Sequence, residues 1–140
     1  MTPRKKRTLA SSRTPLDADI RRYSTDRQAS AAERAASDRL LSDPRLSLDL
    51  VVAVRRAIAA VRAMGGDLWV TDGFRSEAQQ ERVRQLKPAL AASGRSKHQD
   101  GQAVDLAGDL VRAYQVFPRF GLVGGVPGKS EPWHVELASF

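Results

Sequence analysis

Cysteine is absent from this chain of 140 residues, and histidine occurs only at positions 98 and 134. Without thiols there is no disulfide, no thiolate metal site and no cysteine nucleophile, so a metal ion would depend on histidine and carboxylate ligands. Aromatic residues make up 6% of the sequence, and no apolar run approaches the roughly 20 residues of a membrane-spanning helix. With 41% hydrophobic residues the chain can still bury a core, and its length predicts one domain.

Basic charge is concentrated at the start of the chain. Residues 1–30 hold eight basic and three acidic side chains, whereas residues 31–140 hold 15 and 13. The first residues combine this charge with Thr, Ser and Pro, a composition that buries too little apolar surface to offset the entropy of ordering. We therefore predict a flexible basic arm over residues 1–24 and a single folded domain over residues 25–140. No apolar segment follows the basic start, so the sequence predicts no signal peptide.

The predicted arm fits two kinds of role. It either keeps the protein soluble or attaches it to an anionic polymer, a membrane surface, a nucleic acid or another protein through screened Coulomb attraction. Its basic residues are not interleaved with aromatic side chains that would stack on bases, and no nucleic-acid-binding fold is recognisable. Dedicated nucleic-acid recognition is therefore the weaker of the specific alternatives.

The first half of the chain predicts helices. An Ala-rich stretch from Asp26 to Leu41 has a thin apolar face, which predicts a helix at the edge of the domain. A stronger helix follows Ser47 as its N-cap, with apolar residues at helical spacing from Leu50 to Met64, and a Gly-Gly pair ends it. This second helix is expected to form one side of the core.

The second half of the chain predicts short strands. They are expected at 68–71, 102–106 and 133–137, with further helices at 76–86 and 109–117 and a Gly-rich loop at 121–128. Helices followed by short strands indicate an α+β domain, in which the helices pack on a small, mainly antiparallel sheet.

Both histidines lie in polar segments next to predicted strands, and each has a carboxylate nearby. Alternation along a strand places Asp105 on the face opposite its apolar neighbours, and by the same rule His134 and Glu136 share a face. Gly101 would allow a sharp turn between His98 and the strand. A lone His or Asp is more often a packing or turn residue. The combination favours a metal site formed by His98, Asp105 and His134, with water at an open fourth position.

Three motifs at compatible separations resemble those of the peptidase M15 group. They are Ser-x-His-x-x-Gly-x-Ala-x-Asp at 96–105, Glu-x-x-His at 131–134, and Thr-Asp-Gly-Phe-Arg-Ser at 71–76, which is similar to Ser-Gly-Tyr-Arg-Ser with Asp72 and Phe74 as departures. The group includes zinc D-alanyl-D-alanine carboxypeptidases and phage L-alanyl-D-glutamate endolysins. The resemblance covers roughly residues 46–137, so the predicted first helix at 26–41 lies outside it.

The resemblance implies roles for individual residues. His98, Asp105 and His134 would hold one zinc ion, Glu131 would be the general base and acid, and Arg75 would stabilise the carbonyl oxygen. Glu136 is a competing candidate for the base, because it shares a face with His134. We favour a supporting role for it, orienting an imidazole or holding Arg75. Ser96, Gln79 and Gln80 are candidates for substrate binding, although a helical Gln is more often only solvated. Trp133 either lines the cleft or packs beside Pro132.

The resulting hypothesis is a zinc peptidase that cuts the stem peptide of bacterial peptidoglycan, as a D-Ala-D-Ala carboxypeptidase or an L-Ala-D-Glu endopeptidase. The small domain and basic arm suggest a phage lysin, held in the host cytoplasm until lysis or carried on the virion, with the arm binding an anionic polymer or a virion protein. A host enzyme exported by another route is the alternative source. The alternative is a virion or wall-attached structural protein that retains the metal site. A basic nucleic-acid-binding protein is a third possibility, which rests on the arm alone.

Overall fold

The computed structural model describes residues 17–75, 79, 82, 85, 97, 98, 100–126 and 129–138. The helices that it describes over several residues are α1 (Asp17–Tyr23), α2 (Ala31–Leu41), α3 (Leu48–Ala63) and α4 (Leu110–Val116), the last followed by a 3₁₀ turn (Phe117–Phe120). The strands are β1 (Leu68–Asp72), β2 (Ala103–Gly108), β3 (Leu122–Gly124) and β4 (His134–Leu137). None of these helices has the length and apolar character needed to cross a membrane.

The four strands form one antiparallel sheet in the order β1-β2-β4-β3. Val104 and Leu106 of β2 and Val135 of β4 point to one face, where they join the apolar side of α3 in the core. Asp105 and His134 lie directly opposite each other on adjacent strands. The α+β prediction is therefore confirmed, and the alternation that fills the core on one face leaves polar residues on the other.

Helix α3 is the central helix that its sequence predicts. The Ser47 hydroxyl accepts a hydrogen bond from the Leu50 N–H, and Gly65 follows the helix with a φ of 91°. The left-handed φ explains why glycine stands there. Met64 differs from the prediction, because it caps the helix and is 40% exposed instead of reaching the core.

Helix α2 begins at Ala31, five residues later than its composition predicts. Ser30 and Glu33 form a capping box, which fixes the start of the helix. The preceding segment is held by the Ala29 N–H, which donates to the buried carboxylate of Asp67. The helix covers the edge of the sheet, where the Ser37 hydroxyl accepts a hydrogen bond from the Val70 N–H of β1.

The structure describes a helix within the last part of the segment that the sequence assigns to the basic arm. Residues 17–23 form α1, and Ile20 is buried in the core. The Ser24 hydroxyl accepts a hydrogen bond from the Val111 N–H at the start of α4, and the Thr25 N–H donates to the Gly108 carbonyl. The composition of this segment predicts an unstructured chain, but these tertiary contacts outweigh it. Residues 1–16 of the predicted arm lie outside the described residues.

A chain that begins at Asp26 is expected to be less stable than one that begins at Asp17. It loses the burial of Ile20 and two hydrogen bonds, which together contribute about 2–4 kcal/mol to the free energy of unfolding. Urea unfolding of the two chains measures the difference. Equal midpoints would show that α1 does not stabilise the domain.

The structure describes two other predicted elements, one of them only in part. The helix predicted at 76–86 lies mostly outside the described residues, although Gln79, Arg82 and Gln85 are helical. The Gly-rich stretch at 121–128 is not all loop, because Leu122–Gly124 is the strand β3. Tyr114 of α4 packs on Gly124 so closely that a Cβ there would lie 2.4 Å from its hydroxyl. The glycine is therefore needed for contact with Tyr114, within a strand that pairs normally with β4.

Candidate metal centre

The sheet and one adjoining turn bring His98, Asp105 and His134 together. Asp105 and His134 are neighbours through the register of β2 and β4. His98 lies in the turn before β2. Gly101 of this turn has a φ of 70° and lies so close to the backbone of Arg45 that a Cβ would be 2.0 Å from the Arg45 carbonyl oxygen. Only glycine fits that position without strain. The sharp turn that Gly101 allows is what returns the chain from His98 to the strand.

The three side chains converge on one oxygen atom. Oδ1 of Asp105 lies 3.1 Å from Nε2 of His98 and 3.6 Å from Nδ1 of His134. One candidate ligand atom from each residue lies within 4.8 Å of the other two, and both histidines are buried. This group could hold a metal ion.

In each imidazole, the nitrogen that points away from Asp105 makes a hydrogen bond. Nδ1 of His98 lies 2.9 Å from the Gly73 carbonyl oxygen, and Nε2 of His134 lies 3.0 Å from Oε2 of Glu136. Because a carbonyl and a carboxylate only accept, both nitrogens must donate a proton. That assignment leaves Nε2 of His98 and Nδ1 of His134 for a metal, the arrangement usual for metal-binding histidines. The Glu136 carboxylate accepts this hydrogen bond from His134, the contact that a supporting role in orienting the imidazole would need.

The charges of Asp105 and His134 stabilise each other. Burial favours the neutral form of His134, but hydrogen bonds to Asp105 and Glu136 outweigh it and raise the pKa of His134 to about 9. Burial likewise opposes ionisation of Asp105, yet hydrogen bonds from His134 and His98 lower its pKa to about 2. Without a metal, His134 therefore holds a proton at neutral pH between two carboxylates.

Zinc binding is expected to displace this proton. At pH 7 about one proton per zinc should leave His134, because its pKa is about 9 and a metal binds the neutral ring. Titration calorimetry in buffers of different ionisation enthalpy gives the number released, and the part of it that comes from His134 should disappear as the pH rises past 9. The Glu136→Gln variant should release fewer protons at pH 7. The same number from both proteins would contradict the role of Glu136 in holding the charge.

Glu131 is buried just before β4, and its backbone carbonyl accepts a hydrogen bond from the His134 N–H. Burial raises the pKa of its carboxyl, against the lowering effect of positive charge on His134 and Lys129. The hydroxyl of Tyr114 donates a hydrogen bond to the Pro132 carbonyl and so fixes the segment between Glu131 and His134. Sequence reasoning missed Tyr114, since nothing in its local pattern points to this contact.

Arg75 also reaches the site. Its side chain is largely buried, forms an ion pair with Asp72 and lies 3.8 Å from Oδ2 of Asp105. Trp133 is half-buried and packs edge-on against Tyr23 of α1, with ring centroids 5.0 Å apart.

The proposed substrate-binding residues are only partly described. Gln79 is exposed on a helical segment, whereas Ser96 and Gln80 lie outside the described residues. In the sequence Asp72 stands out only as a departure from the family motif, and this departure is the one local signal of its contact with Arg75.

Comparison with known proteins gives a clear result for the fold. No family model matches the sequence, and no curated protein is significantly similar to it. Among solved structures, the Serratia marcescens L-Ala D-Glu endopeptidase ChiX superposes with a TM-score of 0.55 at 22% identity, over 75% of this chain and 88% of that one. The vancomycin resistance D,D-pentapeptidase VanY, solved with Zn(II), superposes with a TM-score of 0.55 at 22% identity, over 89% of this chain and 83% of that one. The chain has the fold of the M15-type zinc peptidases.

A third structure of this M15-type fold is the LD-carboxypeptidase LdcB, with a TM-score of 0.53 and 27% identity over 69% of this chain and 66% of that one. The family resemblance carried by the three sequence motifs is thereby confirmed at the level of the fold. Among the residues that the structure describes, the group that could hold a metal consists of the three residues predicted from the sequence.

Proposed function

We propose that this chain is a zinc-dependent peptidase that hydrolyses the peptide part of bacterial peptidoglycan. The observation that carries the proposal is the cluster of His98, Asp105 and His134, whose candidate ligand atoms lie within 4.8 Å of one another. The cluster lies on a fold shared with peptidases that are named for cutting cell-wall peptides. Two nitrogens and a carboxylate oxygen suit zinc when thiolates are absent. We assign these three residues as the ligands of one zinc ion per chain.

Glu131 is assigned as the general base and acid. Zinc, when bound, lowers the pKa of coordinated water toward about 7 and polarises a carbonyl group. Glu131 accepts the proton of the attacking water and returns it to the leaving amine. A buried carboxyl with a raised pKa suits both transfers better than an exposed one.

Arg75 is assigned to the negative charge that develops on the carbonyl oxygen during attack. Its largely buried guanidinium is held close to the metal cluster, 3.8 Å from Asp105. A fixed positive charge in a site that excludes water lowers the energy of an oxyanion more than an exposed one does. The side chain is held in place before the substrate arrives, so little reorganisation is needed at the moment of reaction.

The substrate class is the stem peptide, cut either at D-Ala-D-Ala or between L-Ala and D-Glu. The structural neighbours include an endopeptidase, a D,D-pentapeptidase and an LD-carboxypeptidase, and one catalytic set can serve both reactions. We further propose a phage lysin, released from the host cytoplasm or carried on a virion. Support for this finer role comes from the basic residues that precede one small catalytic domain, since they suit attachment to an anionic polymer or a virion protein.

Digestion of purified peptidoglycan tests the proposal. The full chain, loaded with zinc, is expected to release fragments whose masses identify the bond cut, and a chelator should abolish the release until zinc is restored. The His98→Ala variant is the matched control for contaminating hydrolases. Full zinc occupancy without any cleavage would overturn the proposal and favour a wall-attached or virion structural protein that retains the metal site.

A further inference from the structure

One irregularity in the sheet lies next to the metal cluster. Strand β1 pairs regularly with β2 as far as Val70, opposite Leu106, and the next pair is Asp72 with Asp105. Thr71 is therefore an extra residue, and the strand bulges there. Without the bulge Thr71 would lie opposite Asp105, and Asp72 would point toward the core with Val70. The bulge moves Asp72 to the face that carries the metal cluster.

The position that the bulge creates has an electrostatic cost. Two carboxylates directly opposite each other on adjacent strands repel. Arg75 offsets the repulsion, because one of its terminal nitrogens, Nη2, pairs with Oδ2 of Asp72 and lies 3.8 Å from Oδ2 of Asp105. The guanidinium is thus shared unequally between the two carboxylates, with the closer contact to Asp72.

The two oxygens of Asp105 consequently face different groups. Oδ2 faces Arg75 at 3.8 Å, whereas Oδ1 faces His98 at 3.1 Å and His134 at 3.6 Å. An arginine that paired fully with Asp105 would draw negative charge away from the cluster and turn the carboxylate. Asp72 competes for the same guanidinium and prevents this.

We propose that Asp72 is a positioning residue for Arg75 and, through Arg75, for Asp105. It keeps the guanidinium near the site and prevents it from pairing fully with the Asp105 carboxylate, which the metal needs. The inference rests on the proposed function for its catalytic consequence, but its effect on metal affinity does not depend on the substrate.

The test replaces Asp72 with Asn and measures the zinc dissociation constant by competition with a chromophoric chelator. We expect the constant to rise about tenfold, the scale typical of groups that orient metal ligands. Asp38→Asn is the matched control, since Asp38 faces Arg55 at 4.0 Å on the exposed surface, and it should bind zinc like the wild type. Asp72→Glu keeps the carboxylate and should restore most of the affinity.

A double-mutant cycle shows whether Asp72 acts through Arg75. In an Arg75→Ala background, Asp72→Asn should change the zinc affinity little, because the guanidinium that it restrains is gone. An equal loss in both backgrounds, or wild-type affinity in Asp72→Asn, would overturn the proposal. If Asp72→Asn fails to fold, Asp72→Ser in both backgrounds gives the same comparison. Tight zinc binding with the expected coupling but no peptide cleavage would instead count against the proposed function alone.

Discussion

The Glu131→Gln variant is expected to keep its zinc and to lose about 10²-fold or more in kcat. Glutamine preserves the shape of the side chain but cannot take a proton from water, so the chemical step loses its base while the metal ligands remain. Metal analysis of the purified variant, together with hydrolysis of a soluble muropeptide at saturating zinc, separates the two effects. Loss of zinc along with activity would show that Glu131 supports the metal instead.

Glu136→Gln is the matched comparison, since it makes the same chemical change on the other side of His134. Its carboxylate accepts a hydrogen bond from the imidazole, so the variant should bind zinc more weakly yet retain much of its rate once saturated. If Glu136→Gln is inactive at saturating zinc and Glu131→Gln is not, the two assignments must be exchanged.

Replacing either histidine with Ala is expected to abolish stoichiometric zinc and with it hydrolysis. Each imidazole supplies one of three assigned ligands, and a buried site with two protein ligands holds zinc poorly. Elemental analysis after dialysis gives the zinc content per chain. Lys97→Ala is the control, because its exposed side chain is adjacent in sequence to His98, and this variant should remain fully loaded. Full zinc content in His98→Ala or His134→Ala would remove that residue from the ligand set.

The features that could be predicted from the sequence depend on local geometry. Strand alternation predicts that Asp105 lies on the polar face of its strand and that His134 and Glu136 share a face of theirs, and Gly101 indicates a sharp turn after His98. Helix α3 followed from its cap and its apolar period. In each case a short stretch of chain carries the whole signal, because the side-chain direction repeats with the backbone.

The features that were missed depend on contacts between distant segments. The bulge at Thr71 shifts the register by one residue, and no local pattern marks it. Helix α1 has only seven residues and is held by Ile20 in the core and by the hydrogen bonds that Ser24 and Thr25, just after it, make with α4 and β2. A helix of that length is unstable alone, so its own sequence does not predict it.

The proton on His134 has a consequence for how the protein matures. In the metal-free chain this imidazolium supplies positive charge between Asp105 and Glu136, at the place where zinc would otherwise be needed to balance them. Neither carboxylate is then left without a neighbouring positive charge before the ion binds, so we expect the metal-free chain to fold. Zinc binding to the folded chain would exchange one cation for another, and acid would oppose it.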